Sequence, residues 1–242
     1  MALENRFLGR RPFSLPGNGS FISFTFDDFP KTAYINGGKI LKDHGLVGTY
    51  YVSLGLMGEK TDTGEIADVE TLEKVLYEGH ELGCHTYSHL DPRDTDPIRF
   101  ETSIRQNLNA LSAILPDFEF KTFAYPYGNV TPKAKRIAKK YFSCCRGGKQ
   151  DINKNRIDLN LLNAYFIDLR KNESLQEIRN VISRNQAANG WLIFATHGVE
   201  QNPSEFGCTP GYFEKVVRHA VESGAVILPV VGTLDAIGCK LR

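Results

Sequence analysis

The chain has 242 residues, 41% hydrophobic and 24% charged, with 29 Lys and Arg against 28 Asp and Glu and a net charge of +1. That length accommodates one α/β domain with a large core, and the balanced charge excludes a basic nucleic-acid-binding field or an acidic solvating tail. Five cysteines, Cys84, Cys144, Cys145, Cys208 and Cys239, contain no CxxC pair, so they read as reduced thiols, not a disulfide framework or zinc knuckle. The N-terminal stretch carries Arg6, Arg10 and Arg11 without an apolar run long enough for a leader. No segment reaches the roughly 18 apolar residues of a membrane span. A cytoplasmic location is therefore expected, with a removed leader left open.

In chain order, residues 20–26 read as a buried strand ending on Asp27-Asp28. A helix is expected over 32–44, closed by Gly45, then a strand over 47–54 and a helix over 68–77 ended by Gly79. A short strand at 81–86 runs into His85-Thr86-Tyr87-Ser88-His89, followed by a long helix over 97–115 and a strand at 121–125. Thr131-Pro132 starts a helix whose Lys133, Lys135, Lys139 and Lys140 read as a solvated face. Further strands are expected at 141–145 and 160–168, a helix at 174–188, a strongly apolar strand at 191–196, a helix at 211–223 and a last strand at 225–231. Alternating strands and helices imply a mostly parallel sheet covered on both faces. No linker or repeat divides the chain, which reads as a single domain over 1–242 with 1–19 as an N-terminal extension.

In such folds reactive groups gather at the C-terminal ends of strands. That rule selects Asp27-Asp28, His85, residues 125–128 and His197. Taken alone, Asp27-Asp28 is a helix cap or a turn. His85 and His89 are four apart on a segment that begins as strand and continues into a loop, and both imidazoles face the same way if the intervening residues make one helical turn. Joined by a carboxylate from another strand end, they make a two-His, one-carboxylate site with open positions for water and substrate. Zn²⁺ suits those donors best, and Co²⁺, Ni²⁺ or Fe²⁺ come next.

Thr25-Phe26-Asp27-Asp28, the His85 to His89 segment, Glu78 to Gly83, Phe123 to Gly128 and Thr196-His197 together resemble the ordered motifs of the NodB-type polysaccharide deacetylases, carbohydrate esterase family 4. The resemblance spans roughly residues 21–237. It implies a single distorted (β/α) barrel of about seven to eight strands that removes acetyl groups from N-acetylated sugars with one bound divalent metal. Carried over by position, Asp27 resembles the catalytic base, Asp28 the metal ligand beside His85 and His89, and His197 the general acid. The backbone N–H of Tyr127 resembles an oxyanion donor. The implied partner is an N-acetylated glycan, with no nucleic acid and no membrane span; the sugar and the oligomeric state stay open.

Three positions depart from the pattern. The arginine that usually orients the base is Ala124 here, and Arg146, in Cys144-Cys145-Arg146-Gly147-Gly148, is the candidate replacement. The acid that usually supports the catalytic histidine is not recognisable, and Asp168 is the nearest substitute. The leucine that often walls the acetyl pocket is Ala195. These departures keep two other readings open: hydrolysis of a non-sugar amide, and glycan binding without turnover.

Overall fold

The computed structural model describes residues 9–241. With strands numbered in chain order, its centre is a curled parallel sheet. The neighbours run β10 (Tyr165–Phe166), β11 (Trp191–Thr196), β2 (Phe21–Phe26), β3 (Thr49–Val52), β6 (Glu81–Cys84), β7 (Thr122–Ala124) and β8 (Cys144–Arg146). Strand β12 (Val226–Ile227) pairs with the first half of β2 while β3 pairs with its second half. At the far edge, the segment leading into β10 bonds back to β8, with Cys145 N–H on the Leu159 carbonyl at 2.7 Å and a parallel bridge between Arg146 and Leu162. The curl brings the two sheet edges toward each other, as expected of the distorted barrel.

Strands β2 and β11 are buried at all six positions each, which is why Phe-Ile-Ser-Phe-Thr-Phe and Trp-Leu-Ile-Phe-Ala-Thr show no polar alternation. Phe24 stacks on Phe194 at 5.5 Å, and Phe213 from the helix Pro210–Glu222 meets both Phe24 and Phe26. Side-chain caps start the outer helices. Asp68, Asp96, Thr131 and Thr209 each accept from a first-turn N–H, and Ser174 with Glu177 forms a reciprocal capping box. Among the described residues no helix is long and apolar enough to cross a membrane.

Several expected elements differ. The helix expected at 32–44 is a wide turn over Ala33–Gly38 followed by Lys39–Asp43, since Gly37 lies so near the Phe26 ring that a Cβ there would sit 2.9 Å from it. The strand expected at 160–168 shrinks to Tyr165–Phe166. Upstream of it, the Asn160 side chain donates to the Gly9 carbonyl at 2.7 Å and Asn153 Oδ1 accepts from Asn163 N–H at 2.8 Å. The last strand stops at Ile227, and Val230–Ala236 is helical because Thr49 Oγ1 and Glu81 Oε2 take the Val230 and Val231 N–H groups. Lys135 is not solvated: it is fully buried, with Nζ 2.5 Å from Asp158 on strand β9 (Arg156–Asp158). Strand β1 (Pro12–Ser14) pairs antiparallel with β9, and residues 1–8 of the expected N-terminal extension lie outside the described residues.

Candidate active site

The C-terminal ends of β2, β6, β7, β8 and β11 open on one cleft of about 470 Å³, within the range of small-ligand sites. Asp27 and Asp28 follow β2, and Asp28 and Phe29 take left-handed backbone angles, φ +59° and +58°. That turn sends the adjacent carboxylates to different neighbours.

Asp28 faces the histidines. Its Oδ1 lies 3.4 Å from His85 Nε2 and 3.1 Å from His89 Nε2, and one ligand atom from each of the three residues falls within 4.8 Å of the others. His85 Nδ1 is 2.7 Å from the Ala124 carbonyl, a contact that requires the ring proton on Nδ1 and leaves an Nε2 lone pair in the neutral ring. Asp28 Oδ1 is buried and makes no hydrogen bond of ordinary geometry. Acceptors thus converge on a buried orphan oxygen, a donor set that fits a divalent cation. Without one, His89 meets the carboxylate only through an N–H on Nε2. Burial opposes the charged form of Asp28, but contact with His85 and His89 outweighs it and holds the carboxyl well below its ordinary value. Burial likewise lowers His89, and the Asp28 carboxylate overrides it and raises the imidazole.

The two histidines converge through the expected loop, not through a helical turn. Residues 87–88 bend, with Thr86 at φ +61° and His89 at φ +49°, and Ser103 Oγ receives the Tyr87 and Ser88 N–H groups. Left-handed residues other than glycine cost free energy and persist where the surroundings impose them.

Asp27 faces Arg146. The guanidinium Nη2 donates to Asp27 Oδ1, with both side chains buried. Arg146 lies directly across from Ala124 in the β7–β8 register, so the guanidinium enters the site from the strand next to the customary one. Tyr51 packs against it with the guanidinium carbon 4.9 Å from the ring centroid, in the space opened by Gly83, its register partner on β6.

Tyr127 occupies φ +59° in the Pro126–Gly128 turn, and its ring lies 4.5 Å from that of His89. Its N–H donates to no acceptor among the described hydrogen bonds, whereas Gly128 and Asn129 N–H return to the Tyr125 and Pro126 carbonyls. The turn rests backbone to backbone on the glycines after Arg146. A Cβ at Gly128 would stand 2.7 Å from the Gly148 Cα, and the Gly128 carbonyl accepts from Gly148 N–H at 3.2 Å.

His197 ends β11 with Nε2 3.9 Å from Asp28 Oδ2. Its Nδ1 is 2.9 Å from the Phe206 carbonyl, not from a carboxylate. Asp168, the expected support, is turned away and holds Arg170 Nη2 at 2.5 Å. A backbone acceptor leaves no trace in side-chain identity, so Phe206 was not readable from the sequence. Phe166 is the cross-strand neighbour of Ala195 and lies over His197 at 6.3 Å, so its ring takes up space beside the small residue.

Comparison with known proteins agrees with this architecture. A peptidoglycan-N-acetylglucosamine deacetylase of Bacillus cereus is 29% identical over 124 residues, 49% of this chain, and the chain spans only 40% of that relative's length. The chitin deacetylase of Colletotrichum lindemuthianum superposes with a TM-score of 0.68 over 97% of this chain and 96% of its own, at 17% identity. A CE4 family pseudoenzyme from Bacillus anthracis superposes with a TM-score of 0.62 over 90% of this chain and 66% of its own, at 12% identity. At those identities the structures share the fold. The sequence profile described as polysaccharide deacetylase matches residues 15–142, more than half of the chain, which therefore belongs to the polysaccharide deacetylase family.

Proposed function

We propose that this chain hydrolyses the acetamido group of an N-acetylated glycan using a divalent cation held by Asp28, His85 and His89. The observation that carries the reading is the orphaned Asp28 Oδ1 facing two imidazole nitrogens, one residue from a carboxylate paired with a buried arginine. When bound, the ion polarises the acetyl carbonyl and brings the pKa of water toward about 7, with Zn²⁺ the best match and Co²⁺ or Ni²⁺ next.

Asp27 takes the proton of the attacking water. Arg146 occupies Oδ1, which leaves the other carboxylate oxygen for that proton. The hydroxide oxygen adds to the acetyl carbon, and the oxyanion meets the Tyr127 N–H, a donor of the kind that contributes about 3 kcal/mol in the transition state. His197, protonated at Nε2, gives its proton to the departing sugar nitrogen as the C–N bond breaks. Acetate and a free amine leave. The Phe206 carbonyl fixes the ring so that Nε2 faces the cleft.

Acetate release from N-acetylated chitooligosaccharides tests the reading. Metal-loaded protein is expected to release acetate, and chelated protein or the Asp27→Asn variant is not. Release that persists after chelation rejects the metal-dependent route. Glycan binding without turnover is the second reading, prompted by the Bacillus anthracis neighbour described as a pseudoenzyme. It predicts saturable glycan binding and no acetate from any metal-loaded sample. Turnover confined to small non-sugar amides would instead favour the reading prompted by Ala195.

A further inference from the structure

One wall of the cleft is cationic and is used by none of the steps above. Arg170 and Lys171 line it just beyond β10. The guanidinium carbon of Arg170 lies 4.5 Å from the Phe206 ring centroid and 5.6 Å from that of Phe166, so two aromatic faces hold it. Asp168, wholly buried, takes only Nη2, at 2.5 Å, and the side chain stays 35% exposed. Of the five N–H donors of a guanidinium, those on Nε and Nη1 meet no protein acceptor among the described residues. The backbone beneath is fixed, with Leu169 N–H on the Gly207 carbonyl and Arg170 N–H on the Glu205 carbonyl, both at 3.1 Å.

Most of the other charges lining the cleft are already engaged. Asp27 is paired with Arg146, and Asp28 belongs to the histidine triad. That leaves Arg170, Lys171 and, from the turn between β4 (Lys60–Thr61) and β5 (Gly64–Glu65), Asp62. Asp168 offsets one unit of the Arg170 and Lys171 charge and is too buried to meet a ligand. Lys171 has no ion-pair partner among the described residues, so its ammonium stands as a second cation beside the Arg170 guanidinium; Asp62 and Asp168 balance the two charges over the cleft as a whole, and the attraction for an anion is local to these two side chains.

From this wall we infer that the substrate is an acidic acetylated sugar. It carries a carboxylate or phosphate near the acetamido group, and Arg170 and Lys171 receive that anion while His197 and Asp27 act on the amide. The inference rests on the deacetylase reading and narrows its substrate class. A guanidinium held in this way keeps charge-assisted N–H donors on Nε and Nη1 for a carboxylate or phosphate, a contact a neutral sugar cannot use as strongly.

The test compares acetate release by metal-loaded enzyme from tri-N-acetylchitotriose, from a trisaccharide of equal length with N-acetylmuramic acid at one position, and from a chitotriose 1-phosphate. The two acidic arms separate carboxylate from phosphate recognition. The better acidic substrate is expected to exceed the neutral one in kcat/KM by about tenfold, the size of a charge-assisted contact. That ratio should collapse in Arg170→Gln, shrink in Lys171→Gln and fall with added salt. Lys171→Gln preserves the Arg170–Asp168 pair and so keeps the test valid where Arg170→Gln fails to fold. Equal kcat/KM for neutral and acidic substrates, or a ratio unmoved by Lys171→Gln, overturns the inference and leaves the deacetylase reading standing. Absence of acetate from all three overturns that reading instead. Calorimetric binding of the same three sugars to Asp27→Asn protein then decides the anion preference: tighter acidic binding supports it, and equal binding overturns it.

Discussion

His85 and His197 use the same local device on two different supports. Each places Nδ1 on a backbone carbonyl, Ala124 at 2.7 Å and Phe206 at 2.9 Å, and turns Nε2 toward Asp28. The carbonyl under His85 belongs to the last residue of β7, inside the parallel sheet, whereas the one under His197 belongs to a loop. A sheet support suits a ligand whose position must not change as an ion binds. A loop support suits a group that gains and loses a proton, because a neutral carbonyl orients the ring in either state. The difference also explains how His197 is held without the carboxylate support expected of Asp168.

The sharpest way to separate the two sides is to remove the proton acceptor between them. Asp27→Asn is expected to lower kcat by about a thousandfold, in the range of general-base losses, while zinc affinity measured by calorimetry stays within a few-fold of wild type. A parallel loss of metal affinity would mean the two adjacent carboxylates do not divide their work. On the loop side, His197→Asn is expected to cost about a hundredfold in kcat, again with metal retained. His85→Ala should instead abolish metal binding, so the pair of histidine variants tests whether like contacts carry unlike roles.

Arg146→Ala comes next, at roughly tenfold to a hundredfold in kcat, since it leaves Asp27 buried without its cation. Adding Ala124→Arg to that variant should restore a large share of the activity, because positions 124 and 146 are register partners on adjacent strands. Failure of the double variant would show that Arg146 acts through its contact with Tyr51 and not through its charge at Asp27.

The smallest effect is one of pH on the metal-free protein. The raised His89 contributes stability that is complete below its unfolded pKa, about 6.5, and is lost as pH rises through its higher folded value. The lowered Asp28 contributes stability present above its unfolded value and lost only in strong acid. Between pH 6 and pH 8.5 the melting temperature of chelated protein should therefore fall by a few degrees more than that of zinc-loaded protein, whose ligands are already deprotonated. Parallel curves from differential scanning fluorimetry would contradict the acceptor-facing-acceptor arrangement.

What could be read from the sequence followed the chemistry of side chains. The adjacent aspartates, the histidines four apart and their positions at strand ends follow from residue type and period. Arg146 could be singled out as a cation near the site, yet its pairing with Asp27 depends on the β7–β8 register, which short strands without alternation do not declare. The loop from His85 to His89 is legible, but its left-handed angles at Thr86 and His89 are not, since they go with the Ser103 contacts and not with local preference. Lys135 was assigned to solvent because its partner, Asp158, belongs to a strand too short to recognise. Backbone acceptors such as the Phe206 carbonyl are present at every residue and mark none.

The register partnership of Ala124 and Arg146 also bears on how such a site changes over generations. A lineage that lost an arginine at 124 first would pass through a sequence with a buried, unpaired aspartate, an arrangement that costs several kcal/mol. A lineage that gained Arg146 first would keep Asp27 paired at every step, and the older arginine could then shrink to alanine without penalty. Arg146 also precedes the glycines that seat the Tyr127 turn, so an arginine settled on β8 ties Asp27 and that turn to a single strand.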